Sequence, residues 1–227
     1  MKKQLVIFGG SSGLAKDLSQ VLYNDFNIIC LSSKKLDSAN KKIKYVHIVD
    51  YSENIISNFI DSLDTKKEHI FLFMNGITDS SAFYKLSNKD ITNIIKVNLE
   101  LPVIITNMLI KKFMLKRTKY IYFSSSRALL GDRGISLYSA TKSSLKYFSR
   151  SMSLEYGKFN HFFYTISLGV FEKGLAETVK KADLERIFKR SAINDSVHIN
   201  ELKKSILYIS DNDAASGSVL NVDNGYF

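Results

Sequence analysis

Tyr138 and Lys142 are two side chains that could move protons, and they lie four residues apart. On a helix this spacing places both on one face, with Cβ atoms about 6 Å from each other. A cation beside a phenol favours the phenolate and lowers the phenol pKa from its usual value near ~10. The pair therefore predicts a tyrosine that exchanges protons near neutral pH, as interconversion of an alcohol and a carbonyl requires. Because the same spacing occurs on ordinary solvated helices, this chemistry also needs a dinucleotide site and a second hydroxyl.

The glycine-rich segment near the N-terminus supplies the first of these requirements. The apolar run Gln4–Phe8 leads into Gly9-Gly10-Ser11-Ser12-Gly13-Leu14-Ala15, and apolar residues at helical spacing follow. A strand, a glycine turn and a helix in this order bind a pyrophosphate, since glycines let the backbone approach it and the helix N-terminus favours its charge. The predicted cofactor contacts in this turn are Gly9, Ser11, Ser12, Gly13 and Leu14.

The end of the second predicted strand, Asn27 to Leu31, bears on the choice of cofactor. Many NAD-specific sites carry an acidic residue there for the ribose 2′-hydroxyl. Here Ser33 and Lys34 follow the strand, and no acidic residue occurs before Asp37. Small hydroxyls and lysines suit a 2′-phosphate, so the sequence favours NADP(H), with NAD(H) as the alternative.

Strand and helix patterns alternate through the rest of the chain. Further strands are predicted at Tyr45–Val49, Ile70–Met74, Lys119–Phe123, Phe162–Leu168 and Ser218–Val222. Helices are predicted at about 52–64, 91–113, 138–156 and 197–209, with Pro102 kinking or dividing the second and Gly157 ending the third. This alternation predicts an α/β fold with a parallel sheet covered by helices on both faces. Ligands of such sheets bind beyond the carboxyl ends of the strands, where Ser124-Ser125-Ser126 lies.

Composition limits the remaining possibilities. The 227 residues are 45% hydrophobic and contain no linker-like segment, which predicts one globular domain. The net charge of +10 is spread along the chain, which is typical of a solvated basic surface or of a surface that attracts anionic ligands. The sequence contains no compact basic motif, so nucleic-acid binding is not predicted. No apolar run approaches the ~20 residues of a membrane span, and no secretion signal is recognised. Cys30, the single cysteine, cannot form an internal disulfide, and because it lies in an apolar run it is predicted to be buried. These observations together predict a cytoplasmic chain. Four scattered histidines and one cysteine predict no metal site.

Over essentially its whole length the chain resembles the short-chain dehydrogenase/reductase family. The glycine turn matches the family's nucleotide motif, with Ala15 in place of its last glycine. Asn98 falls on the family's catalytic asparagine, Ser125 precedes Tyr138 by the family's usual thirteen residues, and Lys142 completes the tetrad. The segment 217–225 is similar to the family's C-terminal strand motif.

Three positions depart from the family pattern. Phe8 stands where a threonine usually opens the glycine motif, and Met74-Asn75-Gly76 replaces most of an Asn-Asn-Ala-Gly sequence. Leu168-Gly169 stands where Pro-Gly usually borders the nicotinamide. These departures leave the four catalytic positions intact and affect the details of the cofactor pocket.

The resemblance implies a single-domain Rossmann fold with a doubly wound, seven-stranded parallel sheet. Its nucleotide-binding half would span about 1–115 and its catalytic half about 116–227, with a mobile helical lid at about 170–196. Tyr138 would act as the acid or base, Ser125 would polarise the substrate oxygen, Asn98 would hold a water, and Lys142 would lower the Tyr138 pKa and bind the nicotinamide ribose. The remaining cofactor contacts would be Asp50, near the adenine, with Asn75, Gly76, Gly169 and Val170.

The substrate is the least defined part of this prediction. A 3-oxoacyl thioester on a carrier protein comes first, and a phosphorylated or nucleotide-linked keto sugar of surface-glycan synthesis is the alternative. Both suit the basic side chains of the lid and catalytic loop, which are Lys173, Lys180, Lys181, Arg186, Lys189, Arg190, Arg127 and Arg133. A non-catalytic regulatory protein that binds NADP(H) is a third possibility. The apolar helices near 91–113 and 138–156 predict a homotetramer or homodimer.

Overall fold

The computed structural model describes residues 2–36, 40–79, 81–171 and 181–226; of Leu129 and residues 181–183 only the backbone is described. Seven parallel strands form one sheet in the order β3-β2-β1-β4-β5-β6-β7. The strands are β1 Gln4–Phe8, β2 Asn27–Ser32, β3 Ile43–His47, β4 His69–Phe73, β5 Thr118–Ser125, β6 His161–Leu168 and β7 Val219–Val222. The predicted doubly wound, seven-stranded sheet is confirmed.

Helices cover both faces of this sheet. They are α1 Gly13–Leu22, α2 Glu53–Asp61, α3 Asn88–Ile95, α4 Leu101–Lys112, α5 Ser126–Leu130, α6 Ser136–Tyr156, α7 Lys181–Phe188 and α8 Ile199–Asp211. Apolar residues of α1 and α8 pack on one face, and those of α2, α4 and α6 pack on the other. Because both faces are covered, β1 and β4 are buried along their whole length, which explains their unbroken apolar sequences.

The chain order reverses between β1 and β4, which are neighbours at the centre of the sheet. The helices that follow these two strands leave on opposite faces, and a crevice opens beyond the strand ends. Both strands belong to the half predicted at about 1–115, and β5, β6 and β7 of the other half extend the same sheet beyond β4.

The helix predicted at 91–113 is longer and is interrupted by a π turn at Lys96–Glu100, between α3 and α4. This turn divides the helix into α3 and α4, and Pro102 lies directly after it, in the first turn of α4. Among the described residues, only the combined helix Asn88–Lys112 is long and apolar enough to cross a membrane. Ile105 and Leu109 of this helix are buried against the sheet, as expected for a core helix.

The predicted bounds of β3 are wrong for a local reason, whereas those of α6 hold at its C-terminus. The third strand runs over Ile43–His47 and not Tyr45–Val49, because Ile43 pairs with Ile28 and Val49 is left exposed beyond the sheet. The predicted end of α6 is confirmed, because the helix ends at Tyr156 and Gly157 is its C-cap. The chain continues through a 3-10 turn, and Asn160 adopts the left-handed conformation with φ 64°.

Candidate active site

A cavity of about 660 Å³ lies beyond the carboxyl ends of the central strands. Its wall begins at the glycine turn, passes the ends of β2, β4 and β5, and reaches α6 and α7. The predicted cofactor and catalytic residues that line it are Gly9, Ser11, Ser12, Gly13, Leu14, Ser33, Lys34, Asn75, Gly76, Ser125, Tyr138, Lys142, Gly169 and Val170. Residues predicted separately along the sequence are therefore brought to one surface.

The glycine turn has the geometry of a phosphate cradle. Gly9 adopts φ +87°, and a Cβ there would lie 2.8 Å from the backbone nitrogen of Asn75, so only glycine fits. Ser12 caps α1 by accepting a hydrogen bond from the Ala15 N–H at 3.1 Å. Because Ser12 and Gly13 line the cavity, the positive end of the α1 dipole lies at its wall. No Asp or Glu occurs among the described residues of the cavity wall, whereas Lys34, Arg127 and Lys142 do. The cavity therefore fits a ligand that carries phosphates.

Asp50 is one predicted cofactor residue that the structure does not bring to the cavity wall. Hydrogen bonds from the Ser52 side chain and from the Ser52 N–H, the latter at 2.8 Å, lower the pKa of the exposed Asp50 carboxylate. The next residue, Tyr51, lines the cavity instead. Tyr51 was not predicted from the sequence, since an aromatic residue after a strand gives no pattern that distinguishes a pocket from a core position.

The three serines at the end of β5 have different partners. Ser124 donates to the backbone carbonyl of Lys142 at 2.9 Å, and Ser126 donates to the carboxylate of Asp223 at 2.5 Å. Ser125 lines the cavity, and its side chain makes a hydrogen bond with Tyr138. Of the three, Ser125 is the one that bonds to Tyr138, while Ser124 bonds to α6 and Ser126 to the residue that follows β7.

Tyr138 lies in the first turn of α6 and reaches the cavity wall. Burial raises the pKa of Tyr138, and the hydrogen bond with Ser125 and the charge of Arg127 offset only part of this rise. The predicted lowering of the Tyr138 pKa by Lys142 is therefore wrong for the protein without ligands. A phenol with a raised pKa is protonated at neutral pH and can donate a proton.

Lys142 is almost completely buried one helical turn after Tyr138. Its ammonium donates to the backbone carbonyls of Asn75 at 2.9 Å and Phe123 at 3.0 Å. Burial lowers the pKa of Lys142 to about 8 because the charged form is desolvated. An ammonium has three N–H groups, so one remains for the cavity that Lys142 lines.

Asn98 lies in the π turn and is fully buried, away from the cavity wall. Its side-chain oxygen accepts from the Ile77 N–H at 2.8 Å, and its amide donates to the Ile77 carbonyl at 2.9 Å and to the Thr141 hydroxyl at 3.2 Å. These contacts tie the segment after β4 to α6. The side chain of Asn98 is thus placed to position other groups, and its predicted water-holding role stays a prediction.

Arg127 is the described cationic residue whose charge acts on Tyr138. Its Nε and Nη2 both donate to one carboxylate oxygen of Asp132, at 3.0 Å and 2.8 Å, and Arg186 of α7 lies 3.3 Å from the other oxygen. Burial would raise the pKa of Asp132, but hydrogen bonds from Arg127 and from the Arg133 N–H hold it below its usual value. Arg127 lines the cavity, whereas Arg133 is exposed outside it.

The segment after β6 is the last part of the wall. A Cβ on Gly169 would lie 2.7 Å from the Cα of Asp223, so glycine is required there. The predicted lid is described in part: Leu184 and Ile187 of α7 line the cavity, while Lys173 and Lys180 fall outside the described residues, as does Asp37. Leu184 and Ile187, together with Ile135 and Phe171, give this end of the cavity an apolar surface. Among the described residues, no group of His, Cys, Asp and Glu could hold a metal ion.

Comparison with known proteins agrees with this architecture. A family model described as Enoyl-(Acyl carrier protein) reductase matches residues 51–227. The 3-oxoacyl-[acyl-carrier-protein] reductase FabG of Buchnera aphidicola subsp. Schizaphis graminum is 24% identical over 238 residues, covering 100% of this chain and 98% of that protein. Carbonyl reductase family member 4 of Xenopus laevis is 24% identical, covering 99% of this chain and 98% of that protein.

Solved structures share the same fold at low sequence identity. A 4-hydroxyisoleucine dehydrogenase mutant complexed with NADH and succinate has a TM-score of 0.87 at 23% identity, with 98% of each chain covered. ElxO with NADP bound has a TM-score of 0.86 at 19% identity, with 100% of this chain and 99% of that chain covered.

Proposed function

The chain belongs to the short-chain dehydrogenase/reductase family of oxidoreductases, and from that premise we propose that it interconverts a carbonyl and a secondary alcohol with NADP(H). The observation that carries this proposal is one cavity wall that holds the glycine turn at one end and Ser125, Tyr138 and Lys142 at the other. A nicotinamide cofactor supplies the hydride when it is bound. The protein contributes binding, orientation and proton transfer.

Each catalytic side chain has a role that its surroundings support. The Ser125 hydroxyl binds the substrate oxygen and polarises the carbonyl. In the direction of reduction Tyr138 gives that oxygen a proton, because its raised pKa keeps the phenol protonated at neutral pH. Lys142 uses its remaining N–H to hold the hydroxyls of the nicotinamide ribose. Asn98 positions the segment after β4 through its bonds to Ile77.

The choice of NADP(H) is supported by the wall next to the end of β2. Ser32 accepts from the Lys34 N–H at 3.0 Å and donates to the Lys34 carbonyl at 2.7 Å, which fixes the turn that carries Ser33 and Lys34 into the cavity wall. An ammonium on this turn would pair with the 2′-phosphate that NADPH has and NADH lacks.

We expect Lys34→Ala to raise the dissociation constant of NADPH about tenfold or more and to leave that of NADH nearly unchanged. One charge-assisted contact of roughly 1.5–3 kcal/mol would be lost with NADPH alone. Isothermal titration with each cofactor measures both constants. Lys35→Ala is the matched control, because Lys35 is exposed and lies outside the cavity wall. Equal losses for both cofactors in Lys34→Ala would overturn the 2′-phosphate assignment.

A 3-oxoacyl thioester presented by a carrier protein is the proposed substrate class. Relatives that span the whole chain include 3-oxoacyl-[acyl-carrier-protein] reductases. The apolar surface formed by Ile135, Phe171, Leu184 and Ile187 suits an acyl chain. The basic surface of the protein would attract an acidic carrier.

Arg127 favours a second candidate, a phosphorylated or nucleotide-linked keto sugar. Its Nε and Nη2 bind Asp132, while its Nη1 has no partner among the described residues and could bind a phosphate near Tyr138. A 3-oxoacyl thioester has only a neutral acyl chain next to its carbonyl, so it offers the Nη1 of Arg127 no charged group to bind.

We expect consumption of NADPH, followed by absorbance, to be at least tenfold faster per enzyme with 3-oxoacyl thioesters than with keto sugar phosphates. The reverse order would move the assignment to the keto sugar. In that case Arg127→Met would reduce kcat/KM for the sugar far more than Arg133→Met, its exposed control. Tight NADPH binding with turnover of no carbonyl compound would favour a non-catalytic regulatory protein.

We also propose a cytoplasmic enzyme that is a single domain and a homodimer or homotetramer. The free Cys30 thiol and its burial fit a reducing compartment. Exposed apolar side chains on α4 and α6, namely Ile104, Tyr147 and Leu154, support self-association. Light scattering at micromolar concentration measures the oligomeric state, and a monomer would contradict the proposed homodimer or homotetramer.

A further inference from the structure

The hydroxyl of Tyr51 lies where the ends of β1, β2 and β4 meet the glycine turn. The backbone N–H of Gly9 donates to it at 2.9 Å, and it lies 3.5 Å from the carbonyl oxygen of Leu31, to which it donates. Burial raises the pKa of Tyr51, and the neighbouring side chain of Asn75 offsets part of the rise. The phenol therefore stays neutral, and it can accept and donate hydrogen bonds at once.

The contact with Gly9 matters because a glycine has more conformational freedom than any other residue. The φ of +87° and the close approach to Asn75 require a glycine here, so the turn needs other contacts to hold it in one conformation. The next residue is also fixed, because the Gly10 N–H donates to the Leu31 carbonyl at 2.8 Å. Phe8, which precedes the turn, is buried and has no hydroxyl to offer. Tyr51, 42 residues away in the sequence, supplies the acceptor for the Gly9 N–H.

Tyr51 also lines the cavity, on the side of the wall formed by the glycine turn and by Ser33 and Lys34. We propose that Tyr51 is a cofactor-positioning residue. Its hydroxyl holds the glycine turn in the conformation that receives the pyrophosphate, and its ring forms the wall beside the adenosine half of NADP(H). This inference rests on the proposed cofactor, and it assigns Tyr51 no contact with the substrate.

The test measures binding and local structure as well as catalysis. Tyr51→Phe keeps the ring and removes the hydroxyl, so we expect the dissociation constant of NADPH to rise about 3- to 10-fold, the effect of one hydrogen bond. Turnover at saturating NADPH should stay within about twofold, because Ser125, Tyr138 and Lys142 are untouched. Tyr51→Leu, which also removes the ring, should weaken NADPH further. In the cofactor-free protein, hydrogen exchange at the Gly9 amide should be faster in Tyr51→Phe than in the wild type.

Tyr208→Phe on the outer side of α8 is the matched control, since Tyr208 is half exposed and away from the cavity. Wild-type affinity for NADPH in Tyr51→Phe would overturn the inference, as would wild-type exchange at Gly9. If Tyr51→Phe does not fold, the wild type alone decides: an unprotected Gly9 amide overturns the inference and a protected one supports it. Failure of the wild type to bind NADPH or NADH would overturn the proposed cofactor and this inference with it.

Discussion

Replacing Tyr138 with phenylalanine is expected to lower kcat on the order of 10²–10⁴-fold, because the variant has no proton to give to the substrate oxygen. The ring remains, so the packing at the start of α6 and the shape of the cavity should be preserved. The dissociation constant of NADPH should change by less than about threefold. Stopped-flow measurement of NADPH oxidation and titration of NADPH fluorescence give the two quantities separately.

Tyr147→Phe is the matched control for this variant. Tyr147 belongs to the same helix, but its side chain is exposed and lies outside the cavity. We expect the control to keep wild-type kcat and affinity. If Tyr138→Phe retained turnover close to that of the wild type, the proton would come from another group, and the proposed mechanism would be lost.

Replacing Lys142 with methionine is expected to affect binding and catalysis together. The methionine cannot donate to the carbonyls of Asn75 and Phe123 or to a ribose hydroxyl. Turnover should fall at least a hundredfold, and the dissociation constant of NADPH should rise about tenfold or more. This combined loss distinguishes Lys142 from Tyr138, which should affect turnover alone. A Lys142→Met variant with unchanged affinity for NADPH would remove Lys142 from cofactor binding.

The pH dependence of stability tests the same side chain without cofactor. The pKa of Lys142 falls from 10.5 to about 8 on folding, so its ammonium destabilises the folded protein fully below about pH 8. As the pH rises from about 8 towards 10.5, Lys142 loses its proton in the folded protein and this destabilisation disappears. The free energy of unfolding of the wild type should therefore rise between pH 8 and 10 relative to Lys142→Met. Lys146→Met, one turn further along α6, should show the same rise in the free energy of unfolding as the wild type. If Lys142→Met shows this rise as well, the Lys142 ammonium is not buried in the folded protein.

Much of the fold and most of the cavity wall could be predicted from the sequence. Parallel strands buried on both faces are read as unbroken apolar runs, as at Leu5–Phe8 and Ile70–Phe73. Once those strands are recognised, the residues that follow them must meet at one edge of the sheet. Gly9, Asn75 and Ser125 each follow or end such a strand, so their meeting on one surface is a consequence of the strand pattern.

The features that the sequence did not predict depend on contacts between distant residues. Tyr51 reaches Gly9 from a different loop, and the burial of Asp132 between Arg127 and Arg186 depends on how α7 packs. The direction of the Tyr138 pKa was missed because spacing reveals a neighbouring cation but not the depth of burial. The bounds of β3 were set by its pairing with β2, which its own composition does not reveal.

The π turn at Lys96–Glu100 holds one residue more than an α turn, because its hydrogen bonds join residues five apart instead of four. Deleting one of these five residues would convert the π turn into an α turn. The apolar face of α4, with Ile105 and Leu109, would then stay on the sheet. Asn98 would lose its alignment with the backbone of Ile77, to which it is bonded from within the turn. The additional residue therefore serves the support of the segment after β4 and not the packing of α4.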